Sequence, residues 1–282
     1  MTHPNDDDDD FDTGDTGANA PISAEDAAPE HLALPDAGER IAKWLAHAGV
    51  ASRRDAEKLI AERRVRLNGK IVEHPSAHVT AADVVQFDGK IIGAPGRARL
   101  FRYHKPAGLV TTHRDPQGRE TVFQKLPAEM GRVVSVGRLD LNSEGLLLLT
   151  NDGSLARQLE LPANGWLRRY RARVHGDVTD TQLADLARGI IIEGVRYGSI
   201  EAEMDSKRGA NAWLSVGLRE GKNREIRRVM QHLGLHVTRL IRIAYGPFQL
   251  GTLERGSIAE VQPKVIREQL GGLGVSKEKI EE

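Results

Sequence analysis

Apolar positions in the first patterned stretch of the chain recur at helical spacing. Ile41, Trp44, Leu45 and Ala48 share one face, and Gly49 stops the helix they predict. Ser52 then has the position of an N-cap, with Asp55 three residues on. Ala56, Leu59 and Ile60 stripe a second helix through about Arg64. The period then changes. From Val65 to Val72, apolar residues alternate on either side of Asn68-Gly69, the strongest short-range signal for a type I′ hairpin. A further strand, Val84–Phe87, precedes a second turn at Asp88-Gly89. The pattern predicts a helix–helix–hairpin domain over 39–95, closed by the linker-like Gly93-Ala94-Pro95-Gly96.

Beyond the linker, strand-like segments interleave with shorter helical ones. Strands are expected at Leu100–Tyr103, Gly145–Thr150, Tyr170–Val174, Ser199–Met204, Trp213–Leu218, Val237–Ile243 and Ile258–Val261. Helices are expected at Ser154–Leu161, Thr179–Arg188 and Asn223–Leu233. The order lacks the regular βαβ rhythm of a parallel sheet. It predicts an α+β domain over 96–270 built on a large, mainly antiparallel sheet. Residues 1–38 have little hydrophobic periodicity and are expected to be a disordered acidic tail. Residues 271–282 are expected to be a flexible C-terminal tail.

Charge changes this picture. The 282 residues carry 40 basic and 40 acidic side chains, a formal net charge of zero. Eleven of the acids lie within residues 1–38, which hold no Lys or Arg. The rest of the chain therefore sets 40 basic residues against 29 acidic, a net of +11. An acidic tail on a basic body points to nucleic acid or a membrane as partner. The longest apolar run, Leu146–Leu149, is far too short to span a membrane, so no membrane partner is expected. Zero Cys excludes disulfides, iron–sulfur ligation and thiol catalysis and fits a cytoplasmic protein.

Two stretches carry candidate chemistry. Between Arg53 and Lys70 stand seven cations, Arg53, Arg54, Lys58, Arg63, Arg64, Arg66 and Lys70, against three acids. Arg53 and Arg54 sit at a helix N-terminus, where the macrodipole disfavours cations. Phosphate contact would give that placement a reason. The second stretch runs Gly137-Arg138-Leu139-Asp140-Leu141-Asn142-Ser143-Glu144-Gly145, then Leu146–Leu149 and Thr150-Asn151-Asp152-Gly153. A polar loop feeds a strand that reads as buried on both faces, so Asp140 is a carboxylate on a rigidly anchored loop. Such a group serves as nucleophile, base or metal ligand, and the residues alone leave the choice open, as they leave open a loop Asp that bonds only its own backbone. Glu144 and Asp152 are expected to have turn and surface roles. His232 and His236 lack a third ligand nearby, and no metal is expected.

Both stretches resemble known families. Gly49-Val50-Ala51-Ser52-Arg53-Arg54-Asp55-Ala56-Glu57 and Val65-Arg66-Leu67-Asn68-Gly69 resemble the S4 RNA-binding domain. The G-R-L-D loop and the G-L-L-L-L-T-N-D-G run resemble the catalytic motif of the RNA pseudouridine synthases, in the branch that carries an S4 domain and acts on ribosomal RNA. Lys105-Pro106-Ala107-Gly108, Asp115-Pro116 with Arg119–Val122, Glu220–Arg228, and Leu240–Ile243 with Gly246 match further motifs in family order. The similarity runs from about Glu39 to Val265. The wording Asn223–Arg228 looks more like the large-subunit, type B 23S rRNA enzymes.

The resemblance implies roles. Asp140 would be the catalytic aspartate, Tyr170 would lie against the target base, and Arg227 would pair with Asp140 and keep it ionised. Arg138, Leu240, Lys105 and Arg228 would bind the substrate nucleotide. Lys222 and Arg224 would join the seven S4 cations in facing RNA. Trp166-Leu167-Arg168-Arg169 precedes Tyr170, where many relatives have an acid and a lysine. The implied reaction is an isomerisation that needs no cofactor. The implied partner is 23S rRNA in a free or partly assembled large subunit, met by a monomer. The competing expectation is a non-catalytic S4-type RNA-binding protein of ribosome assembly.

Overall fold

A computed structural model describes residues 38–270; the expectations for both tails fall outside the described residues. The first module comprises β1 (Glu39–Arg40), α1 (Ile41–His47), α2 (Arg53–Ala61), β2 (Val65–Leu67), β3 (Lys70–Ile71), β4 (His78–Val79), β5 (Val85–Phe87) and β6 (Lys90–Ile92). Ser52 caps α2, its hydroxyl accepting from the Asp55 amide at 3.1 Å and donating to the Asp55 carboxylate at 2.7 Å. Asn68 and Gly69, like Asp88 and Gly89, all have positive φ, as type I′ turns require. These turns fix the antiparallel order β3-β2-β5-β6. Ile41, Trp44, Leu45, Ala56, Ile60, Val65 and Val85 close a core of the module's own.

The larger domain comprises β7 (Leu100–Lys105), β8 (Val134–Val136), β9 (Ser143–Thr150), α3 (Gly153–Glu160), β10 (Arg168–His175), α4 (Asp180–Asp185), β11 (Ile190–Ile192), β12 (Val195–Tyr197), β13 (Ile200–Arg208), β14 (Asn211–Leu218), α5 (Glu225–His232), β15 (His236–Tyr245), β16 (Phe248–Gln249), β17 (Ile258–Glu260) and α6 (Pro263–Leu270). Among the described residues its main sheet has nine strands, in the order β13-β14-β10-β15-β9-β7-β17, with β8 and β16 attached at its middle. Every pairing in it is antiparallel except β9 with β15. The α+β class with a mainly antiparallel sheet is therefore what the chain forms.

All eight residues of β9 are buried. Leu146 and Leu148 face one core with Leu100, Val136 and Leu155, while Leu147 and Leu149 face another with Phe101, Tyr103 and Leu109. Alternate side chains leave a strand on opposite faces, so a continuous Leu run fits only a strand covered on both sides. Four strands of this domain went unread in the sequence, among them the two-residue β16. β8, β11 and β12 are three residues each, too short for a period to register. The β11–β12 turn uses Glu193-Gly194, whose φ values of +50° and +79° are those of an Asn-Gly turn in a less recognisable pair.

The parallel pair sets the geometry of the domain. Leu240, Ile241 and Arg242 of β15 lie opposite Ser143, Glu144 and Gly145 of β9. On its other side β15 pairs with β10, with Leu240 opposite Ala172 and Arg242 opposite Tyr170. Segments distant in sequence thus converge at the start of β9. Gly145 has φ +103°, and a Cβ there would overlap the Arg242 backbone, lying 2.7 Å from its nitrogen. Only glycine allows this approach.

Candidate active site

Asp140 sits on the loop between β8 and β9, and that loop is held carbonyl by carbonyl. The Thr111 hydroxyl donates to the Leu139 carbonyl at 2.9 Å. Lys105 Nζ donates to the carbonyls of Asp140, Leu141 and Ser143 at 3.2, 3.4 and 2.9 Å, and to its neighbour Pro106 at 2.9 Å. The Gly108 amide reaches Leu141 at 2.8 Å, and Arg227 Nη2 reaches the Asn142 carbonyl at 3.1 Å. The Gly137 amide donates to Glu160 at 2.5 Å. With its backbone so fixed, the loop directs the half-buried Asp140 carboxylate toward a cleft of about 1040 Å³. Tyr170, Leu240, Arg138, Lys222, Arg224 and Arg242 line the same cleft.

Three expected contacts differ. Arg227 does not bond the Asp140 carboxylate. Its Nη1 and Nη2 are taken by the carbonyls of Val237 and Asn142. Arg224 instead brings Nη1 to 3.4 Å from Asp140 Oδ2. Arg224 adopts φ +51° at the start of α5, and this turned backbone lets a residue outside the helix overhang the cleft. Burial, followed by the Arg224 charge, lowers the Arg227 affinity for its proton, against the pull of Asp140. Lys105 is fully buried beneath the loop and does not line the cleft. Burial pushes its pKa down to about 8, opposed by the charges of Asp140 and Glu144. Arg228 is exposed on α5, outside the cleft lining.

Glu144 and Asp152 also depart from the surface roles expected of them. Glu144 is buried and accepts both Arg239 Nε and Nη2, at 2.7 and 3.0 Å, with Arg255 Nη2 at 3.0 Å. Asp152 is buried and caps α3 through the amides of Ser154 and Leu155. Arg242 belonged to a recognised motif without a role. It is almost fully buried, bonds the Leu146 carbonyl at 2.7 Å and lies over the Tyr245 ring at 5.1 Å. Thr111 carried no signal, since a lone loop threonine has none.

The seven cations of the small module are all exposed. Arg64 is committed locally, bonding Asp88 at 2.9 and 2.6 Å above the Phe87 ring. Arg63 pairs with Glu73 and Lys58 with Asp55, while Arg66 ties its own hairpin turn at the Gly69 carbonyl. Arg53, Arg54 and Lys70 make no ion pair among the described residues. Arg114, which lines the cleft, stands 3.7 Å from Asp55 at the start of α2. The basic face of the module and the cleft are therefore adjoining surfaces. Among the described residues no three His, Cys, Asp or Glu side chains group as a metal site, and no helix is long and apolar enough to cross a membrane.

A basic helix–hairpin module beside a carboxylate-bearing cleft defines an RNA-modifying enzyme, and comparison with known proteins specifies it. The S4 domain family model matches residues 39–85, and the RNA pseudouridylate synthase model matches residues 99–232. The chain is 44% identical over 228 residues to an uncharacterized RNA pseudouridine synthase of Rickettsia felis, covering 81% of this chain and 99% of that one. It is 41% identical over 230 residues to the ribosomal large subunit pseudouridine synthase B of Escherichia coli K12, covering 79% of each. A crystal structure of a pseudouridylate synthase superposes with TM-score 0.57 at 26% identity, over 82% of this chain and 99% of that one. The chain belongs to the RNA pseudouridine synthases, isomerases that act on uridine in RNA.

Proposed function

We propose that this enzyme converts a uridine of ribosomal RNA, in the large-subunit 23S rRNA, to pseudouridine, with Asp140 as its catalytic aspartate. The observation that carries the reading is the Asp140 carboxylate itself. It faces a cleft of nucleotide size, on a loop whose carbonyls from Leu139 to Ser143 are tied down, with a guanidinium 3.4 Å away. The large-subunit target is supported by the 41% identity to the E. coli protein of that name.

The reaction breaks the C1′–N1 bond and forms C1′–C5. C5 loses a proton and N1 gains one, so atoms and electrons balance within the nucleotide. A uridine inside a helix exposes neither C1′ nor C5 and must be extruded, at a cost of roughly a few kcal/mol. Phosphate contacts by Arg53, Arg54 and Lys70 offset that cost. Asp140 attacks the nucleotide or assists glycosidic cleavage. Tyr170 lies against the base and helps remove the C5 proton, and Leu240 packs the base from the apolar side. Arg138 fills the place the nucleotide leaves. Arg224 takes the place expected of Arg227, setting a guanidinium beside the carboxylate. Arg227 and Lys105 act on the loop instead.

The test is a map of pseudouridines in ribosomal RNA from cells carrying the intact gene or Asp140→Asn. One large-subunit uridine, or a small cluster, is expected to lose modification in the mutant. An unchanged map refutes the catalytic assignment. A loss confined to small-subunit rRNA refutes the 23S target.

A further inference from the structure

The ring of His47, at the end of α1, leaves its own module. Nδ1 stands 3.6 Å from Glu39 Oε2 and Nε2 stands 3.4 Å from Asp152 Oδ1. Glu39 belongs to the S4 module and Asp152 to the turn that follows β9 in the synthase domain. The three side chains are 8%, 7% and 1% exposed. Lys43 also stands on this cluster, its Nζ 2.5 Å from Glu39 Oε1.

Two buried carboxylates on opposite sides of a domain junction repel and lose hydration, unless a cation stands between them. A neutral imidazole has one N–H and can offer a donor to only one of them, whereas an imidazolium offers two. Burial disfavours the charged ring, but Asp152 and Glu39 together outweigh it and raise the His47 pKa to about 9. The ring therefore carries its charge at neutral pH. A second polar bridge at this junction, Arg114 to Asp55, is longer at 3.7 Å and largely exposed, and such pairs hold weakly. Asp152 caps α3 and directly follows β9, and the opposite end of that buried strand carries the Asp140 loop.

We propose that His47 is a positioning residue for the RNA reaction: as a cation shared by Glu39 and Asp152, it clasps the S4 module to the synthase domain. The clasp holds the basic face of α2 at a set distance from the Asp140 cleft. The catalytic consequence rests on the function proposed above, in which both surfaces hold one RNA. Two linked surfaces gain affinity only when their geometry lets them engage together, so a loosened junction weakens RNA binding without touching the chemistry.

The experiment uses the full chain with an rRNA fragment containing the target uridine. His47→Leu is expected to raise KM roughly ten-fold with kcat within about two-fold of wild type, and His47→Arg to restore KM. Wild-type KM is expected to rise as pH increases through about 9, while the His47→Arg enzyme stays flat over the same range. An unchanged KM in His47→Leu, or parallel pH curves for wild type and His47→Arg, overturns the proposal. Should His47→Leu fail to fold, the pH comparison still decides. Amide hydrogen exchange at residues 39–48 and 150–156, without RNA, reads the clasp independently. Faster exchange above pH 9 in wild type but not in His47→Arg, after correction for intrinsic rates, supports it, and equal exchange overturns it. A wild-type enzyme that makes no pseudouridine in rRNA refutes the proposed function and leaves the exchange result to judge the clasp.

Discussion

Lys105 lies buried directly beneath Asp140, its Nζ 3.2 Å from the Asp140 carbonyl oxygen and within hydrogen-bonding reach of the carbonyls of Leu141 and Ser143. The residue that first reads as a substrate contact is thus a floor for the Asp140 loop. Lys105→Met strips three loop carbonyls of their shared donor. A misplacement of about 1 Å in a reacting group costs on the order of 100-fold in rate. The expected result is a kcat loss of that size with RNA affinity nearly unchanged, measured by single-turnover kinetics and filter binding. Lost affinity with unchanged kcat would return Lys105 to the substrate.

The two arginines near Asp140 separate by the kind of loss they cause. Arg224→Ala removes the guanidinium facing the carboxylate while leaving the loop bonds intact. Its expected signature is a lower kcat with the melting temperature nearly unchanged, because only the group 3.4 Å from the carboxylate is lost. Arg227→Ala removes donors from two carbonyls, and is expected to lose on the order of 1–3 kcal/mol of stability along with activity. Equal losses of melting temperature in the two variants would refute the division.

Gly145→Ala is expected to be severely destabilising. It places a Cβ at φ +103° against the Arg242 backbone, where neither strand can yield without opening the parallel pair. A loss of at least about 2 kcal/mol is expected in denaturant unfolding. A neutral outcome would mean that β9 and β15 do not approach this closely.

Salt dependence tests the RNA face. Arg53→Ala and Arg54→Ala, exposed and without ion pairs among the described residues, are each expected to reduce the slope of log affinity against log salt by about one. Arg64→Ala, whose guanidinium is already held by Asp88, is expected to change the slope less. Equal changes at all three positions would show that the Asp88 pair gives way to phosphate.

The junction also makes a thermodynamic prediction. The folded pKa of His47, about 9, lies above its ordinary value of 6.5. Its stabilisation is complete below about 6.5 and is lost as pH rises through about 9. The full effect is at most about 3 kcal/mol. Lys105 acts with the opposite sign, since its folded pKa of about 8 lies below 10.5, so its contribution grows more favourable over that interval. Thermal unfolding of wild type and His47→Arg, compared between pH 6 and pH 10, cancels the Lys105 contribution. Wild type is expected to lose stability relative to the variant. A constant difference across the range would mean that the ring is not charged between Glu39 and Asp152.

Local physics made much of this protein legible in its sequence. Helical spacing from Ile41 to Ala48, the Ser52 cap and the Asn68-Gly69 turn dictate the small module, because each is decided within a few residues. The Leu146–Leu149 run announces a strand covered on both faces, and the loop before it singles out Asp140. What surrounds Asp140 was decided elsewhere. A parallel pair between β9 and β15, separated by some ninety residues of chain, brings Leu240 and Arg242 alongside the loop, and β10 adds Tyr170. Motif spacing places Arg224 and Arg227 three residues apart on one segment. The positive φ of Arg224 decides which of them reaches the carboxylate. Lys105 and His47 are unremarkable as letters, and their roles come from burial, which strips water from a charge and leaves carbonyls or carboxylates as its partners. Sequence determined the elements and singled out the Asp140 carboxylate; the environment of that carboxylate is a property of long-range packing, which no local pattern records.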